Sequence, residues 1–494
     1  MAAGIPASGR GALFIGGEWR PPAGGQYVPV IDPSTGRRIG EAPVASADEA
    51  RAAVDAAAAV EEAWGFTPGH ARAKVLRAAA ERLRDDRETM ARLIASEVGK
   101  PIVDARVEAD RAASVFDFAA DEIRHLGGDS FPADAYERPV GNDQRFLFTV
   151  RDPIGVVVAI GPFNFPLNLL SHKVAPALAA GNPVVAKPTS AAPFTALRLA
   201  EHLAAAGLPP GVLNVVVGPG RSVGDTLVEH PRTRLVTFTG STEVGKGIAE
   251  KAGRHAKRVI LEMGGMDPFV VLADAPLETA VRAAARGAFG YSGQVCTASK
   301  RFLVQDSVAE KFARALAEKA SALRVGPALE ESTEVGPLID AAAVARMEEL
   351  VADARARSAK VLTGGSRRAT AGGSFYPPTV MDEVPEDARV AREEPFGPIA
   401  PVLRFRDLDE AVRIANSTPY GLQAAVYTND LARGFSLAKR IRAGGVHLND
   451  PTTLRWDALP FGGVKESGLG REGLRYAMEE MTEVKLVSVN FAPN

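Results

Sequence analysis

A single thiol, Cys296, occurs in 494 residues, within GYSGQVCTASKR. A lone cysteine is commonly an inert, buried small side chain; it becomes a nucleophile where a cleft and nearby charge favour the thiolate. Gly293 and Gln294 before it, and the small residues Thr297, Ala298 and Ser299 after it, predict a tight turn entering a strand, which would present the sulfur to a cleft. Glu262, in VILEMGGMDP, ends an apolar run and is followed by Gly264 and Gly265. It reads either as an exposed strand-end residue or, beside an activated thiol, as a general base. The two lie 34 positions apart, so they come from different strands and can meet only across a cleft. Asn164, in GPFNFP, either closes a turn on its own backbone or donates its amide to a developing oxyanion. The stretch FTGSTEVGKG at 238–247 runs from a strand into a helix through Gly240 and Ser241, and helix N-termini attract phosphate. It is neither G-x-G-x-x-G nor a Walker loop, so by itself it names no nucleotide.

These residues need a scaffold, and the composition provides for one. Hydrophobic residues make up 46% and charged residues 24%, ordinary for a folded chain of two or three domains. Lys plus Arg number 58 against 60 Asp plus Glu, a net charge of −2, without the basic excess of a general nucleic-acid or anionic-membrane binder. One cysteine excludes an intramolecular disulfide, and no Cys/His spacing suggests a metal site. The N-terminus has no basic stretch followed by a long apolar one, and the apolar runs are strand-sized. No signal peptide, no membrane span and a cytoplasmic location are therefore expected.

The first 30 residues read as an irregular arm with small strands. A capping box at Ser46 and Glu49 opens a helix, Ala71 to Leu93 continues with helical periodicity, and two or three helices are expected before Gly127. GVVVAIG, NPVVAKP, LNVVVG and RLVTFTG then alternate with helical stretches, as in a parallel sheet with crossovers. A second α/β set is expected to begin at VILEMGG and to run through DPFVVL, RFLVQ, AKVLTGG, APVLRF, AAVYTN and GGVHLN. RFLFTVRDP and TEVKLVSVN fit neither set and read as edge strands available to a neighbouring subunit.

In order along the chain, GPFNFP, AGNPVVAKP, FTGSTEVGK, LEMGG, GQVCTASKR, EEPFGP and PFGGVKESGLGREG resemble the aldehyde dehydrogenase superfamily over almost its whole length. The resemblance implies that Cys296 attacks the aldehyde carbon, and that Asn164 and the Cys296 backbone N–H hold the oxyanion. Hydride then leaves for the nicotinamide, and Glu262 activates the water that hydrolyses the thioester. Lys173 and Glu472 match a proton-relay pair that reads equally as a structural ion pair. For the cofactor it implies Lys187 at the adenosine ribose, Gly240 and Ser241 at the pyrophosphate, and Glu394 and Phe396 at the nicotinamide ribose and ring. Relatives strict for NAD often carry Glu three residues after that lysine. Here Ser190 stands there, so NADP is expected to be accepted alongside NAD and is a candidate for preference.

Phe163, Phe165, Leu169 and Phe461 match the lining of the substrate tunnel. Arg455 stands where many relatives have an aromatic, and either clamps a polar tail or lies on the surface. Relatives that take phosphorylated aldehydes often have Arg before the nucleophile, whereas this chain has Val295, which speaks against a phosphate. Met266 replaces a frequent Lys, and the sequence offers no account of it. The implied architecture is α/β: a Rossmann-like cofactor domain (1–125 and 151–261), an α/β catalytic domain (262–472) and a small β oligomerisation domain (126–150 and 473–494). The implied protein is a homodimer or homotetramer that oxidises a short, polar or anionic aldehyde to its acid. Its partners would be the small-molecule substrate and NAD or NADP, with neither nucleic acid nor membrane. Competing readings are a catalytically silent binding or structural protein of the same fold, a cofactor-free thioesterase, and a coenzyme A-acylating enzyme. The last typically lacks the carboxylate that Glu262 supplies.

Overall fold

The computed structural model describes residues 9–367 and 372–491. Five parallel strands stand in the spatial order Arg258–Glu262, Thr233–Thr239, Val156–Ile160, Val184–Lys187 and Leu213–Val215. Antiparallel strands extend both edges, Gly468–Leu469 beside Glu262 and then Leu13–Ile15 and Glu18–Arg20 beyond Leu213, giving eight strands in all. Every residue of Val156–Ile160 is buried, as a strand covered by helices on both faces requires. Strand alternation splits its side chains: Val157 and Ala159 join one hydrophobic core, while Val156, Val158 and Ile160 join another with Ala50, Val54, Ile248 and Ala252.

The helices show their sequence causes. Ser46 caps Ala47–Gly65 and Glu49 reaches back to the cap, the reciprocal arrangement expected. Among the described residues four α-helices, rather than two or three, precede Gly127: Ala47–Gly65, Gly69–Asp85, Arg87–Val98 and Ile102–Glu122. The extra break falls at Asp86, whose carboxylate accepts from Arg198 Nε at 2.7 Å and lies 2.8 Å from His202 Nε2, both on the helix Pro193–Ala205. That helix is itself capped by the buried Glu97, which accepts from the Phe194 and Thr195 N–H groups at 2.6 and 3.0 Å.

A second sheet has seven strands: Lys360–Thr363, Thr379–Asp382, Ile399–Phe405, Arg301–Gln305, Pro268–Val271, Gln423–Tyr427 and Gly445–Leu448. All are parallel except the first pair. Thr379–Asp382 has no counterpart in the sequence reading, because it is short and follows two prolines. VILEMGG does not open this set: Arg258–Glu262 pairs in parallel with Thr233–Thr239 in the first sheet. Gly468–Leu469, from the 262–472 stretch, also lies in the first sheet. In a third sheet Thr482–Asn490 pairs antiparallel with Arg145–Pro153 along its full length, from Thr482 opposite Pro153 to Asn490 opposite Arg145. RFLFTVRDP is therefore a central strand and not an edge. Ser130–Phe131 pairs with Phe148 and Leu147 on its other side, so Thr482–Asn490 and Ser130–Phe131 are the outer strands.

The order of the first sheet decides where a ligand can sit. The chain passes from Val156–Ile160 outward through two strands on one side, then crosses back to add Thr233–Thr239 and Arg258–Glu262 on the other. Connections from the two adjacent strands Val156–Ile160 and Thr233–Thr239 leave in opposite directions and open a crevice at their carboxyl ends. Gly161–Asn164 and Gly240–Ser241 form its rim.

Candidate functional site

Cys296 lies between the helix Leu277–Phe289 and the strand Arg301–Gln305. The turn before it is strained: Tyr291, Ser292 and Gly293 have φ of 48°, 55° and 70°. A non-glycine residue in the left-handed region costs about 1–3 kcal/mol and persists when its surroundings over-determine it. Here they do. Tyr291 Oη donates to Val98 O at 2.9 Å, Ser292 Oγ to Gly336 O at 2.6 Å, and Gln294 Oε1 accepts from the Ile339 N–H at 2.8 Å. The half-buried thiol is a wall shared by two cavities, one of about 720 Å³ and one of about 210 Å³. Burial pushes its pKa up to about 12, with Lys300 and Arg455 pulling the other way. The thiol holds its proton at neutral pH in this state.

Asn164 is buried and lines the larger cavity beside Cys296, where its Nδ2 donates to Gln294 O at 3.0 Å. An amide has two N–H bonds, so one remains to be aimed at a substrate oxygen. Glu262 ends its strand as expected, but it does not line either cavity at Cys296. It packs against Gly462, where an added Cβ would stand 2.9 Å from Oε1, and neither carboxyl oxygen has a hydrogen-bond partner among the described residues. Burial, then the charge of Glu472, raises its pKa well above the usual carboxylate range. Glu472 is the opposite case. Its Oε1 accepts from Lys173 Nζ at 2.6 Å and its Oε2 from Arg455 Nη2 at 3.0 Å. Burial pushes Glu472 up, but these two cations outweigh it and hold the carboxyl low.

The larger cavity collects Lys187, Gly240, Ser241, Glu394 and Phe396 with Asn164 and Cys296. Thr189 lines it and Ser190 does not. Burial lowers the Lys187 pKa to about 8, and its ammonium has no ion-pair or hydrogen-bond partner among the described residues. Ser241 starts the thirteen-residue helix Thr242–Arg254 without a side-chain cap. Any Cβ at Gly240 would collide with the Phe238 ring, and the Thr239 hydroxyl is buried without a partner among the described residues. An unpaired cation, a bare helix start and an orphaned hydroxyl around one crevice fit a dinucleotide. At the Cys296 end, Phe396 meets the Phe163 ring edge-on at 5.8 Å.

That contact corrects one assignment. Phe165, Leu169, Val295, Arg455 and Phe461 line the smaller cavity, but Phe163 lines the larger one. The two phenylalanines flank Asn164 and project to opposite sides of it. Arg455 is neither on the surface nor unpaired: its side chain is 9% exposed, bonded to Glu472 and stacked 3.8 Å over the Phe461 ring. Three further cations, missed in the sequence, line this cavity: Lys100, Arg111 and Arg286. Lys100 pairs with the buried Glu108 and lies 3.4 Å over the Phe165 ring. Arg111 grips Asp457 with two bonds of 2.9 and 2.6 Å, and Asp457 Oδ1 lies 2.9 Å from His172 Nε2. A signal existed: Asp104, Val107, Glu108 and Arg111 fall at i, i+3, i+4 and i+7 of the helix Ile102–Glu122, one face of it. Met266 is buried and its backbone carbonyl accepts from the buried Arg301 Nε at 2.9 Å, but nothing in the structure explains why its side chain is methionine.

The comparisons with known proteins agree with this geometry. The sequence pattern of the aldehyde dehydrogenase family matches residues 19–487. A succinate-semialdehyde dehydrogenase [NADP(+)] of Escherichia coli is 40% identical over 480 residues, 97% of this chain and 98% of its own. A 3-sulfolactaldehyde dehydrogenase of Priestia aryabhattai is 40% identical over the same shares of both chains. Among solved structures, a glyceraldehyde-3-phosphate dehydrogenase of Methanocaldococcus jannaschii complexed with NADP superposes with a TM-score of 0.89 at 39% identity, over 94% of this chain and 99% of that one. With the family pattern spanning nearly the whole sequence and the thiol, amide and dinucleotide crevice meeting at one place, this chain belongs to the aldehyde dehydrogenase family.

Proposed function

We propose that the chain oxidises a short aldehyde with an anionic or strongly polar tail to its carboxylic acid, with NAD or NADP as cofactor and Cys296 as the covalent nucleophile. The observation that carries this is the position of Cys296 as the shared wall of two chemically unlike cavities. One suits a dinucleotide. The other holds about 210 Å³ and has guanidinium groups at Arg111 and Arg455, both close enough to interact electrostatically with the thiol. The substrates named for the relatives, succinate semialdehyde, 3-sulfolactaldehyde and glyceraldehyde 3-phosphate, all carry an anion a few atoms from the aldehyde. Val295 before the nucleophile favours a carboxylate or hydroxyl tail over a phosphate.

Cys296 Sγ would attack the aldehyde carbon from the smaller cavity, its proton passing to solvent water as the C–S bond forms and the carbonyl π pair moves onto oxygen. The substrate oxygen, now carrying the charge, would receive the remaining Asn164 N–H and the Cys296 backbone N–H. Bound NAD(P) supplies the hydride acceptor, and Lys187, Gly240, Ser241 and Glu394 are placed to hold it. Glu262, turned out of its packing against Gly462, would take a proton from the water that attacks the thioester, and Cys296 would leave as thiolate. Burial and the charge of Glu472 hold the proton affinity of Glu262 high, with Arg455 and Lys173 pulling the other way. A screen of short aldehydes with and without a terminal anion, each with NAD and NADP and followed by reduced-nicotinamide absorbance, tests the reading. Turnover should be fastest for the anionic or hydroxylated compounds. Equal rates for unsubstituted aldehydes of the same length would refute the polar-tail assignment.

We also infer a homo-oligomer, dimer or tetramer. The free edge of Thr482–Asn490 carries Val484 and Leu486, the latter 62% exposed, with Phe491 just beyond it. Val484→Glu with Leu486→Glu should lower the mass found by light scattering. An unchanged mass excludes this edge as the interface.

A further inference from the structure

Lys300 lies four residues after the nucleophile, its side chain 2% exposed. A buried ammonium is retained only where it is well paired, and here its partners come from separate parts of the site. It donates to the backbone carbonyl of Cys296. It also stands 3.0 Å from Oε1 of Glu394, the oxygen that accepts from the Gly265 N–H at 3.2 Å. The buried carboxyl of Asp267, pushed up to about 7 by burial, adds to the negative surroundings of the ammonium. The packing leaves no slack. A Cβ on Gly264 would collide with the Glu394 carboxylate, and one on Gly265 would stand 3.1 Å from the Cys296 carbonyl oxygen and 2.7 Å from Asp267 Oδ1. The loop after Glu262, the nucleophile turn and the EEPFGP turn therefore converge on one cation.

We propose that Lys300 is a positioning residue that couples seating of the cofactor to the placement and reactivity of the Cys296 thiol, by holding the nucleophile's carbonyl and the Glu394 carboxylate with the same ammonium. This rests on the roles given above to Cys296 and Glu394. Holding the carbonyl fixes ψ of Cys296 and hence the direction in which its side chain leaves the backbone. Holding Glu394 keeps its carboxylate on the wall of the larger cavity, next to Phe396, where ribose hydroxyls would meet it. Any ligand that donates to Glu394 draws part of its charge away from Lys300 and leaves more of the ammonium's field to the thiol. The other charges acting on that thiol are Arg455, Asp267 and Glu262, with Arg111 on the substrate side, and none of them bonds to both the nucleophile and the cofactor wall.

Cys296 is the only cysteine in the chain, so its alkylation by iodoacetamide reads the thiolate alone. The protein, without cofactor, is alkylated at about pH 9, and NADPH binding is followed separately by fluorescence. Lys300→Met should slow alkylation about tenfold, one pKa unit's worth, and weaken NADPH binding several-fold. Glu394→Gln should act in the opposite direction on the thiol, speeding alkylation, because it releases Lys300 from its ion pair. In the double variant Lys300→Met/Glu394→Gln that acceleration should disappear, since Glu394 reaches the thiol through Lys300. A Lys300→Met protein with unchanged alkylation and NADPH affinity overturns the proposal, and so does an acceleration by Glu394→Gln that persists without Lys300. If Lys300→Met fails to fold, Glu394→Gln decides alone, and unaltered alkylation in it overturns the coupling. Absence of aldehyde oxidation in the unmodified protein would instead strike at the proposed function, and the alkylation comparison would still decide the role of Lys300.

Discussion

The two cavities that meet at Cys296 are built by opposite strategies. On the dinucleotide side the wall is made by strand ends and the turns that follow them, with bare glycine at Gly240 and Gly264 and a cation, Lys187, that has no partner among the described residues. On the substrate side three of the four lining cations are already matched. Arg111 holds Asp457 from 346 positions away, Arg455 holds Glu472, and Lys100 holds Glu108. An unpaired cation gains most of its stabilisation when an anionic ligand arrives. A paired one is pre-oriented, its net field is small, and it selects by the donors it has left over. Arg111 uses Nε and Nη2 on Asp457, and Arg455 uses Nη2 on Glu472 while its Nε has no partner among the described residues. Charge should therefore govern cofactor binding, and hydrogen-bond geometry should govern substrate choice.

The largest effects belong to the shared wall. Cys296→Ala should abolish aldehyde oxidation while NADPH binding by fluorescence stays within about twofold, because the thiol makes the bond to substrate and is not needed to hold the dinucleotide. Loss of both together would mean that the cavities are one mechanical unit and would erase the contrast. Glu262→Gln should leave a single burst of reduced cofactor and slow steady turnover by roughly 10² to 10⁴, as expected for a lost general base. A missing burst would place Glu262 before hydride transfer.

The same contrast explains what could be read in advance. Asn164, Cys296, Gly240 and Ser241 sit in short motifs whose own few residues dictate the local backbone, and the left-handed run Tyr291–Gly293 is foreshadowed by the glycine and small residues around the cysteine. The capping box at Ser46 and most strands of both large sheets were legible for the same reason. What failed depended on distant chain. The raised proton affinity of Glu262 comes from its burial, where it packs against Gly462, and then from the charge of Glu472. Phe163 and Phe165 look equivalent in GPFNFP, and only the fold shows that they face different cavities. Arg111 sits on a polar helix face of the kind that is ordinarily solvated, and nothing local announces Asp457 on the other side. VILEMGG reads as the start of the second sheet because apolar strand runs look alike, and only its pairing with Thr233–Thr239 assigns it to the first.

On the substrate side the effects should be moderate and selective. Arg455→Leu and Arg111→Met should each lower kcat/KM for a semialdehyde and a hydroxyaldehyde by roughly 10- to 150-fold, the equivalent of one charge-assisted hydrogen bond of about 1.5–3 kcal/mol. An unsubstituted aldehyde of equal length should be nearly unaffected. Uniform losses across all three would mean that these arginines serve only their ion pairs with Glu472 and Asp457, and that Phe165, Leu169 and Phe461 set specificity.

The smallest effect tests the unpaired cation. Burial lowers the Lys187 pKa to about 8 in the unliganded protein, so the ammonium is charged below that pH and loses its charge above it. The 2′-phosphate that distinguishes NADP from NAD remains anionic throughout this range. The sign follows directly: as pH rises through about 8, the dissociation constant for NADPH should increase while that for NADH stays nearly level. The ratio of the two should change by about three- to tenfold between pH 7 and roughly pH 9.5, since a full unit charge acting across a partly wet cleft is strongly screened. Arg221 lines the same cavity and places a second cation there. Lys187→Met should flatten the ratio, whereas Ser190→Ala, which alters a side chain off the cavity lining, should leave it intact. Parallel pH profiles for the two cofactors would show that Lys187 does not face the 2′ position. The dinucleotide side would then choose its ligand by hydrogen bonding, as the substrate side does, and the contrast between the two cavities would fail.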